Sequence, residues 1–473
     1  MAATSGLLAP RNLAHPRTHW WQDARFGLSL HWGIYSVAGR GEWVRSAERL
    51  TVSQYRPFID GFRPREGWAD RWADLALAAG AKYVVLTAKH HDGFCLWDSK
   101  LTDYTAVHSP AGRDLIAEYV TALRKRGLRV GLYYSLVDWH HPDYGPVYGD
   151  RQHPLRHDPQ QRELDRHRDF SRYVRYMHGQ IEELLTRYGT IDVLFFDFSY
   201  WDFVGETWGA SELMRLIRRC QSDIIVNDRL SREGIKALHP PDYVGDFDHA
   251  EQNIPRERVV NARGEGVPWE AWFTLGNAWA HSATPEPLKS SRTVIHALVN
   301  CVSKAGNLCL NVAPDAAGDL PEAVVSTLHE VGRWLGVHGE SIYGCGPAAL
   351  PVPEWGRFTA SHDGRYLYAH LLHPVVGHVS LPGLRGRIDR PVVLSTGNPG
   401  ILTDYWNPGI QTFDAPDDIF FNFAQPVQHT HPLPDPLDTV VRFDIVTDPL
   451  RQRSLRRQLD DAFDRATARR PMD

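Results

Sequence analysis

Asp197 ends a short apolar stretch with the composition of a buried strand. Five of the six residues before it, 191–196, are apolar. A continuous apolar run of this length is typical of a strand that helices cover on both faces of a parallel sheet. A carboxylate at the C-terminal end of such a strand points into the mouth of a βα barrel, where active sites lie. Taken alone, Asp197 is equally compatible with a helix cap or a structural ion pair.

Polar residues follow most of the other strand-like runs in the same way. A single histidine in such a place is usually a hydrogen-bonded structural residue. Recurrence at strand end after strand end favours a binding site instead, because the C-terminal ends of parallel strands meet on one face of a barrel. The residues so placed are His31, His90, His91, Tyr134, Trp139, Asp197, Arg229, Asp246, Asp248 and Glu251.

Strand-like and helix-like segments alternate over residues 20–344, which predicts a (β/α)8-like barrel of the TIM type. The segments between the fifth and seventh strands carry weak helical patterns, so we expect the barrel to be irregular there. The predicted strands are 26–30, 83–87, 129–134, 191–197, 224–227, 243–247, 269–272 and 308–312. The predicted helices are 68–79, 114–126, 169–188, 211–220, 292–303 and 322–336.

The composition changes after residue 344. Residues 345–449 are rich in proline, glycine and short alternating runs, which predicts an antiparallel β-sandwich domain. Residues 450–473 are rich in arginine and carry Leu455, Leu459 and Phe463 at helical spacing, which predicts an amphipathic helix packed on this chain or on a second subunit. Residues 1–19 read as a lead-in segment.

Composition excludes several classes of function. The 473 residues carry a net charge of −5, so the chain has no overall electrostatic footprint for nucleic acid. No apolar stretch reaches the length of a membrane span. The five cysteines are dispersed and contain no CxxC pair, which argues against a disulfide framework and a cysteine zinc site. Without a secretory signal in the first 18 residues, the expected location is the cytoplasm. A homo-oligomer is possible.

Histidines and acids at a barrel mouth suit two chemistries. Metal-dependent hydrolysis needs imidazoles that converge on one cation. Here His90 and His91 are adjacent, and on an extended segment their side chains would diverge, which weakens this reading. Glycoside hydrolysis needs two carboxylates among hydrogen-bonding and aromatic neighbours, and Asp197 with an acid from a later loop would supply the pair.

Several motifs together resemble the α-L-fucosidases of glycoside hydrolase family 29. They are, in order, residues 24–27 with 31–33, 89–94, 133–135 with 138–139, 192–197, 226–229, 303–308 and 339–343. Each motif alone is weak, but the ordered set covers roughly residues 20–345.

The resemblance implies a retaining exo-glycosidase that removes terminal α-L-fucose from glycans or glycosides without metal or cofactor. On matching positions, Asp197 becomes the nucleophile. A set of sugar-binding residues follows from the same matches: His31, Glu42, Trp43, His90, His91, Tyr134 and Arg229. Trp279 becomes an apolar wall near the fucose methyl group.

The general acid is less tightly specified than the nucleophile. Residues 198–201, Phe-Ser-Tyr-Trp, replace an acid that some family members carry there. The candidates are Glu251, Glu270, Glu42 and Asp246, and we favour Glu251 because its loop resembles the acid-bearing loop of the family. The alternatives are a glycosidase for a related sugar such as α-L-galactose, an inactive sugar-binding protein and, third, a metal-dependent hydrolase.

Overall fold

The computed structural model describes residues 7, 15–199, 203–231, 234–376, 379–403, 417–423, 430–431 and 433–468. Contacts divide the chain into two units. One unit, called the barrel unit below, contains residues 12–290 and 307–332. The second unit contains residues 1–11, 291–306 and 333–473. The predicted domain boundaries at 19, 344 and 449 remain predictions.

An eight-stranded parallel sheet dominates residues 26–312, in the order β5-β4-β3-β2-β1-β8-β7-β6. The predicted (β/α)8-like fold is confirmed. Its strands are β1 Phe26–Leu30, β2 Tyr83–Lys89, β3 Arg129–Ser135, β4 Val193–Asp197, β5 Ile225–Val226, β6 Asp248–Glu251, β7 Trp269–Thr274 and β8 Gly306–Val312. The end strands β5 and β6 are joined, within the described residues, by one isolated bridge between Asn227 and Phe247.

The irregular part of the barrel lies where the sequence predicts it. Between β5 and β7, the one helix that the described residues form is a short 3-10 helix, Gly234–Lys236. The expected strand at 243–247 is wrong, and β6 begins at Asp248 instead. Gly245 has a φ of 86°, and a Cβ atom there would collide with the Asn227 carbonyl. Because an extended strand does not adopt positive φ, the backbone turns at Gly245 before pairing resumes.

Among the described residues, all six predicted helices are present within two residues of their predicted bounds, and five further α-helices were not predicted. The α-helices up to residue 338 are α1 His19–Ala24, α2 Tyr35–Ala38, α3 Val44–Ala47, α4 Val52–Gly61, α5 Trp68–Ala78, α6 Leu115–Lys125, α7 Gln161–Asp165, α8 Phe170–Arg187, α9 Ala210–Cys220, α10 Ser291–Val302 and α11 Glu322–His338. Asp114 and Asp169 cap α6 and α8 by accepting hydrogen bonds from Ala117 and Ser171. Such caps satisfy backbone N–H groups that have no partner within the helix. Further 3-10 helices span Pro16–Thr18, Gly205–Trp208 and Gly339–Ser341.

Alternate side chains of the sheet fill the barrel interior. Val85, Tyr133, Val193, Phe195 and Trp272 belong to one buried cluster, although their strands are far apart in sequence. Residues two apart on a strand share a face. Tyr133 therefore shares the interior face with Ser135, and Phe195 shares it with Asp197.

The second unit contains antiparallel β structure, as predicted. Its strands are β9 Cys345–Pro347, β10 Gly356–Ser361, β11 Tyr366–Leu371, β12 Val375–Val376, β13 Val379–Leu381, β14 Ile388–Val393, β15 Ile401–Thr403, β16 Ile419–Asn422, β17 Thr430–His431 and β18 Thr439–Ile445. They form sheets in the orders β14-β18-β11-β10-β9, β13-β16-β15 and β12-β17. Phe358 and Phe443 of the largest sheet share one core with Phe421 of the three-stranded sheet, which is sandwich packing.

The arginine-rich tail forms α12, Pro449–Ala468, and packs within this second unit. Leu459 lies against the sandwich core. Arg456 pairs with Asp417 at 2.8 Å, and Asp460 pairs with Arg385 at 2.5 Å. The side chain of Phe463 and residues 469–473 lie outside the described part, as do residues 1–6 and 8–14 of the lead-in. No described helix has the length and apolar character needed to cross a bilayer.

Candidate active site

A cavity of about 300 Å³ opens at the C-terminal ends of the barrel strands. It lies within the barrel unit. Polar and aromatic side chains from strands β1 to β7, or from the loops that follow them, converge on it, as expected for the C-terminal face of a βα barrel. The lining residues are His31, Glu42, Trp43, His90, His91, Tyr133, Gln152, Phe195, Asp197, Phe198, Arg229, His249, Glu251, Trp272 and Trp279.

Asp197 lies in this cavity as the last residue of β4. Its Oδ2 atom accepts a hydrogen bond from the Tyr133 hydroxyl at 2.6 Å, and its Oδ1 atom lies 3.3 Å from Nη1 of Arg229. Burial opposes ionisation of this carboxyl. The Arg229 charge, His91 and the Tyr133 hydrogen bond outweigh burial and hold the pKa of Asp197 below its ordinary value. Asp197 is therefore a carboxylate at neutral pH, with hydrogen bonds that fix its orientation.

The structure corrects the prediction for Tyr134. Its side chain points away from the barrel interior. Its hydroxyl donates a hydrogen bond to Gln180 of the surrounding helix α8 at 2.7 Å. Tyr133, one residue earlier, takes the place that the sequence assigned to Tyr134 and contacts Asp197. The exchange follows from strand geometry: Ser135 lies opposite Asp197 in the β3–β4 register, so Tyr133 and Asp197 share one face.

The three predicted histidines lie together in the cavity. The ring centroids of His90 and His91 are 4.0 Å apart, and those of His31 and His90 are 5.6 Å apart. The expectation that His90 and His91 diverge is wrong, because β2 ends at Lys89 and the two histidines enter a turn, closed by a hydrogen bond from Gly93 N–H to the His90 carbonyl at 3.0 Å. Burial lowers the pKa of His31 and of His91 to about 4, so both rings are neutral at neutral pH.

Glu251 ends β6 at the rim of the cavity. Its Oε2 atom accepts a hydrogen bond from Nη2 of Arg229 at 2.6 Å, and its side chain is 44% exposed. Arg229 follows β5 and is itself largely buried. One guanidinium thus contacts both Asp197 and Glu251, which brings the two predicted carboxylates to the same end of the cavity.

The other candidate acids have structural partners. Glu270 lies near the start of β7, where the Trp21 indole, the Tyr83 hydroxyl and the Trp272 indole all donate to its carboxylate. Tyr83 begins β2 and Trp21 precedes β1, so this cluster forms the floor of the barrel, at the end opposite the cavity mouth.

Glu42 and Asp246 are also held by nearby groups. Glu42 is buried at the cavity wall, where it accepts a hydrogen bond from Ala280 N–H at 3.1 Å. Burial raises the pKa of Glu42 above its ordinary value. Asp246 accepts hydrogen bonds from Arg218 at 2.6 Å and from the Val226 N–H at 2.8 Å. Glu251 therefore remains the best-placed partner for Asp197.

Aromatic rings close the sides of the cavity. Trp43 lies 5.0 Å from the His91 ring and 5.2 Å from Trp139, and Trp279 lies 5.1 Å from His31. Such flat faces suit the apolar side of a sugar ring. The described residues contain no group of three histidine, cysteine or acidic side chains arranged to hold a metal ion.

Sequence reasoning missed several lining residues, including Tyr133, Gln152, Phe198, His249 and Trp272. The alternation of faces could have identified Tyr133 once the register of β3 against β4 was known. Gln152 comes from the insertion after β3, whose polar composition gives no signal for a cavity contact. In the stretch 198–201, which lacks the acid of some family members, positions 200 and 201 lie outside the described residues.

Comparison with known proteins identifies the family. The sequence model of the alpha-L-fucosidase family matches residues 10–340. This chain belongs to the α-L-fucosidase family. The predicted membership in glycoside hydrolase family 29 is thereby confirmed, and the protein is a glycoside hydrolase.

Relatives extend this similarity over most of the chain. The tissue alpha-L-fucosidase of Bos taurus is 29% identical over 399 residues, which cover 78% of each chain. The solved alpha-L-fucosidase isoenzyme 1 of Paenibacillus thiaminolyticus is 47% identical, with a TM-score of 0.85 over 91% of this chain and 99% of that one. A GH29 alpha-L-fucosidase from Bacteroides thetaiotaomicron, 24% identical, has the same fold with a TM-score of 0.75 over 94% of this chain and 98% of that one.

Proposed function

We propose that this family member is a retaining exo-α-L-fucosidase in which Asp197 is the nucleophile and Glu251 the general acid and base. The observation that carries the proposal is the bridge through Arg229, which contacts Asp197 at 3.3 Å and Glu251 at 2.6 Å. Retaining glycosidases use two carboxyl groups about 5–5.5 Å apart, and the shared contacts to Arg229 bring Asp197 and Glu251 to the same end of the cavity.

The environments of the two carboxyls suit different roles. Asp197 is held ionised by Arg229 and Tyr133, as a nucleophile requires. Glu251 lies at the exposed rim, where a leaving aglycone would pass into solvent. It can therefore meet both the departing oxygen and an incoming water molecule.

The reaction then has two displacements. In the first, an Asp197 oxygen forms a bond to the anomeric carbon while the bond to the leaving oxygen breaks, and Glu251 protonates that oxygen. In the second, Glu251 removes a proton from water, the water oxygen attacks the anomeric carbon, and the Asp197 carboxylate is released. Fucose leaves with its original anomeric configuration.

The cavity wall supplies contacts for a single terminal sugar. His31, His90, His91 and Glu42 offer hydrogen-bonding groups for hydroxyls, and Trp43 offers an aromatic face. Trp279 would face the fucose methyl group, and an α-L-galactoside would bring a hydroxyl to that apolar wall. A cavity of about 300 Å³ is at the lower end for small-molecule sites, which favours one sugar unit.

The cell location and the assembly of the protein are further proposals. The five cysteines all lie within the described residues and form no disulfide bond, and four of them are buried. This pattern is typical of a reducing compartment and supports the proposed cytoplasmic location. A homo-oligomer also remains a prediction, and sedimentation of the full chain would test it.

A panel of aryl glycosides tests the activity. We expect cleavage of an aryl α-L-fucoside, with far slower cleavage of the matching α-L-galactoside. Preferential cleavage of the galactoside would contradict the assignment of the sugar, and binding without cleavage of either would indicate a sugar-binding protein.

Replacement of Asp197 tests the mechanism. Asp197→Ala should lower the rate by several orders of magnitude without unfolding the protein, because the side chain lies at a strand end. Azide should partly restore the reaction and give the β-fucosyl azide, since it attacks from the vacated face. If the parent enzyme released fucose of inverted configuration, the nucleophile assignment would fail.

A further inference from the structure

The Ser135 hydroxyl connects His91 to the backbone carbonyl of Val137, just after β3. Ser135 ends β3 and is fully buried, opposite Asp197 in the β3–β4 register. Its Oγ atom lies 2.6 Å from Nδ1 of His91 and 2.7 Å from the Val137 carbonyl oxygen. A serine hydroxyl has one proton, so it can donate to only one of these two atoms.

Counting donors and acceptors decides which atom receives that proton. The Val137 carbonyl can only accept, and no other donor reaches it among the described residues. If Ser135 donated to His91, this buried carbonyl would lose its partner, at a cost of about 1–3 kcal/mol. If Ser135 donates to Val137, its oxygen accepts from an Nδ1–H of His91, and all three groups are satisfied.

The other nitrogen of His91 faces the nucleophile. Nε2 of His91 lies 3.8 Å from Oδ2 of Asp197, the oxygen that already accepts from Tyr133. Burial keeps the imidazole neutral at neutral pH, because it lowers the pKa of His91 to about 4. With the proton on Nδ1, Nε2 carries a lone pair and does not donate to Asp197.

We propose that Ser135 is a positioning residue that fixes His91 in the Nδ1–H tautomer, so that its Nε2 accepts a hydrogen bond from a sugar hydroxyl beside Asp197. The proposal deepens the function above and rests on it for the identity of the sugar. Since Asp197 attacks the anomeric carbon, the hydroxyl on the neighbouring C2 atom lies beside the Asp197 carboxylate. This hydroxyl can donate a hydrogen bond to Nε2 of His91. In the opposite tautomer, an Nε2–H would point toward Asp197. It would donate a hydrogen bond to the carboxylate and oppose its attack on the anomeric carbon.

His31 shows the same arrangement in the same cavity. Its Nδ1 atom lies 2.7 Å from Oδ1 of Asn311. The amide nitrogen of Asn311 donates to the Trp279 carbonyl, and Ser29 donates to the Asn311 oxygen at 3.2 Å. That oxygen is therefore an acceptor, and His31 also carries its proton on Nδ1. In both histidines, an acceptor that does not line the cavity binds the Nδ1 proton. Both rings therefore present the lone pair of Nε2 to the substrate.

The tautomer can be measured directly, without turnover. In protein labelled with ¹⁵N-histidine, two-bond proton–nitrogen correlation spectra at pH 7 distinguish Nδ1–H from Nε2–H rings, and a His91→Gln sample identifies the His91 signals. We expect an Nδ1–H ring in the parent and an Nε2–H ring in Ser135→Ala. An Nε2–H or doubly protonated His91 in the parent would overturn the proposal, and this spectrum decides even if the alanine variant fails to fold.

Kinetics separate positioning from structural support. Ser135→Ala should reduce kcat/KM for an aryl α-L-fucoside by about tenfold or more, as expected for a lost hydrogen bond of ~1.5 kcal/mol, and Ser135→Thr should restore it. Ser341→Ala is the matched control, because Ser341 is also buried and donates to a carbonyl, that of His338 at 2.7 Å. Equal loss of activity in this control would overturn the proposal.

Inhibitor binding tests whether the C2 hydroxyl of the sugar is the group that donates to His91. L-fucose donates from its C2 oxygen, whereas 2-deoxy-2-fluoro-L-fucose has a fluorine there that cannot donate. We expect the parent to bind L-fucose about tenfold more tightly as a competitive inhibitor and Ser135→Ala to bind the two sugars equally. An unchanged preference in the variant would overturn the link between Ser135 and this hydroxyl. If the parent has the Nδ1–H ring but cleaves no fucoside, the proposed function fails and the tautomer assignment stands.

Discussion

Replacement of Glu270 by glutamine tests whether this buried acid is part of the barrel floor or of the catalytic pair. Glu270 is fully buried and accepts hydrogen bonds from Trp21, Tyr83 and Trp272. The glutamine side chain has nearly the same shape but does not titrate. It also places an NH₂ group where a carboxylate oxygen meets a donor.

The pH dependence can be worked out from the pKa of Glu270. Burial raises this pKa from 4.5 to about 7, although the three hydrogen bonds oppose the rise. Between these values the folded protein binds a proton that the unfolded chain does not bind. Glu270 therefore contributes stability that is fully present below pH 4.5 and is lost as the pH rises through about 7. Over 2.5 pH units, at about 1.4 kcal/mol per unit, the change amounts to about 3 kcal/mol.

The measurement compares parent and Glu270→Gln by urea unfolding at pH 5, 6, 7 and 8, followed by tryptophan fluorescence. We expect the parent's advantage in free energy of unfolding to fall by about 2.5 kcal/mol from pH 5 to pH 8, because only the part of the titration above pH 5 is sampled. The comparison cancels the titration of His31, His91 and all other groups, because both proteins retain them. A difference that is constant with pH, or that grows as the pH rises, would refute the reasoning.

Activity measured on the same variant separates Glu270 from Glu251. Glu270→Gln should still hydrolyse a natural fucoside, because the side chain lies at the floor of the barrel and contacts no substrate. Glu251→Gln is the matched substitution at the cavity rim and should lose that activity. The reverse result would transfer the role of general acid to Glu270.

Three further predictions concern the reacting groups. Tyr133→Phe should raise the pKa of Asp197, because it removes a hydrogen bond to the carboxylate, and should move the acid limb of kcat/KM to higher pH, whereas Tyr134→Phe should leave that limb in place. An equal shift in both variants would contradict the placement of the two rings. Glu251→Ala should lose natural fucosides but still form the fucosyl-enzyme from substrates with very good leaving groups, and azide should then yield the α-fucosyl azide. A chelator should not change hydrolysis of an aryl α-L-fucoside, and loss of activity that zinc restores would favour a metal-dependent hydrolase.

The sequence by itself determined the barrel, the family and the position of Asp197. Each of these depends on local patterns: apolar runs mark the strands, capping residues mark helix starts, and polar residues mark the strand ends. Parallel strands share one direction, so residues at their C-terminal ends must meet on one face wherever they lie in the chain. This explains why His31, His90, Asp197 and Arg229 could be grouped without coordinates.

Only the tertiary structure decided which of two neighbouring side chains enters the cavity. Strands buried on both faces show no alternation of apolar and polar residues, so the sequence does not reveal which face Tyr133 or Tyr134 occupies. The register that sets Ser135 opposite Asp197 settles the choice. The turn after Lys89 likewise brings His90 and His91 together, since its backbone angles are not encoded in their spacing.

The assignment of the acids also required three-dimensional contacts. Glu251 and Glu270 lie on adjacent paired strands, yet one meets Arg229 at the rim and the other meets Trp21 and Tyr83 at the floor. Their partners come from strands and helices far away in sequence. Local propensity carries no information on such pairs, because hydrogen bonding between distant segments depends on register and barrel closure.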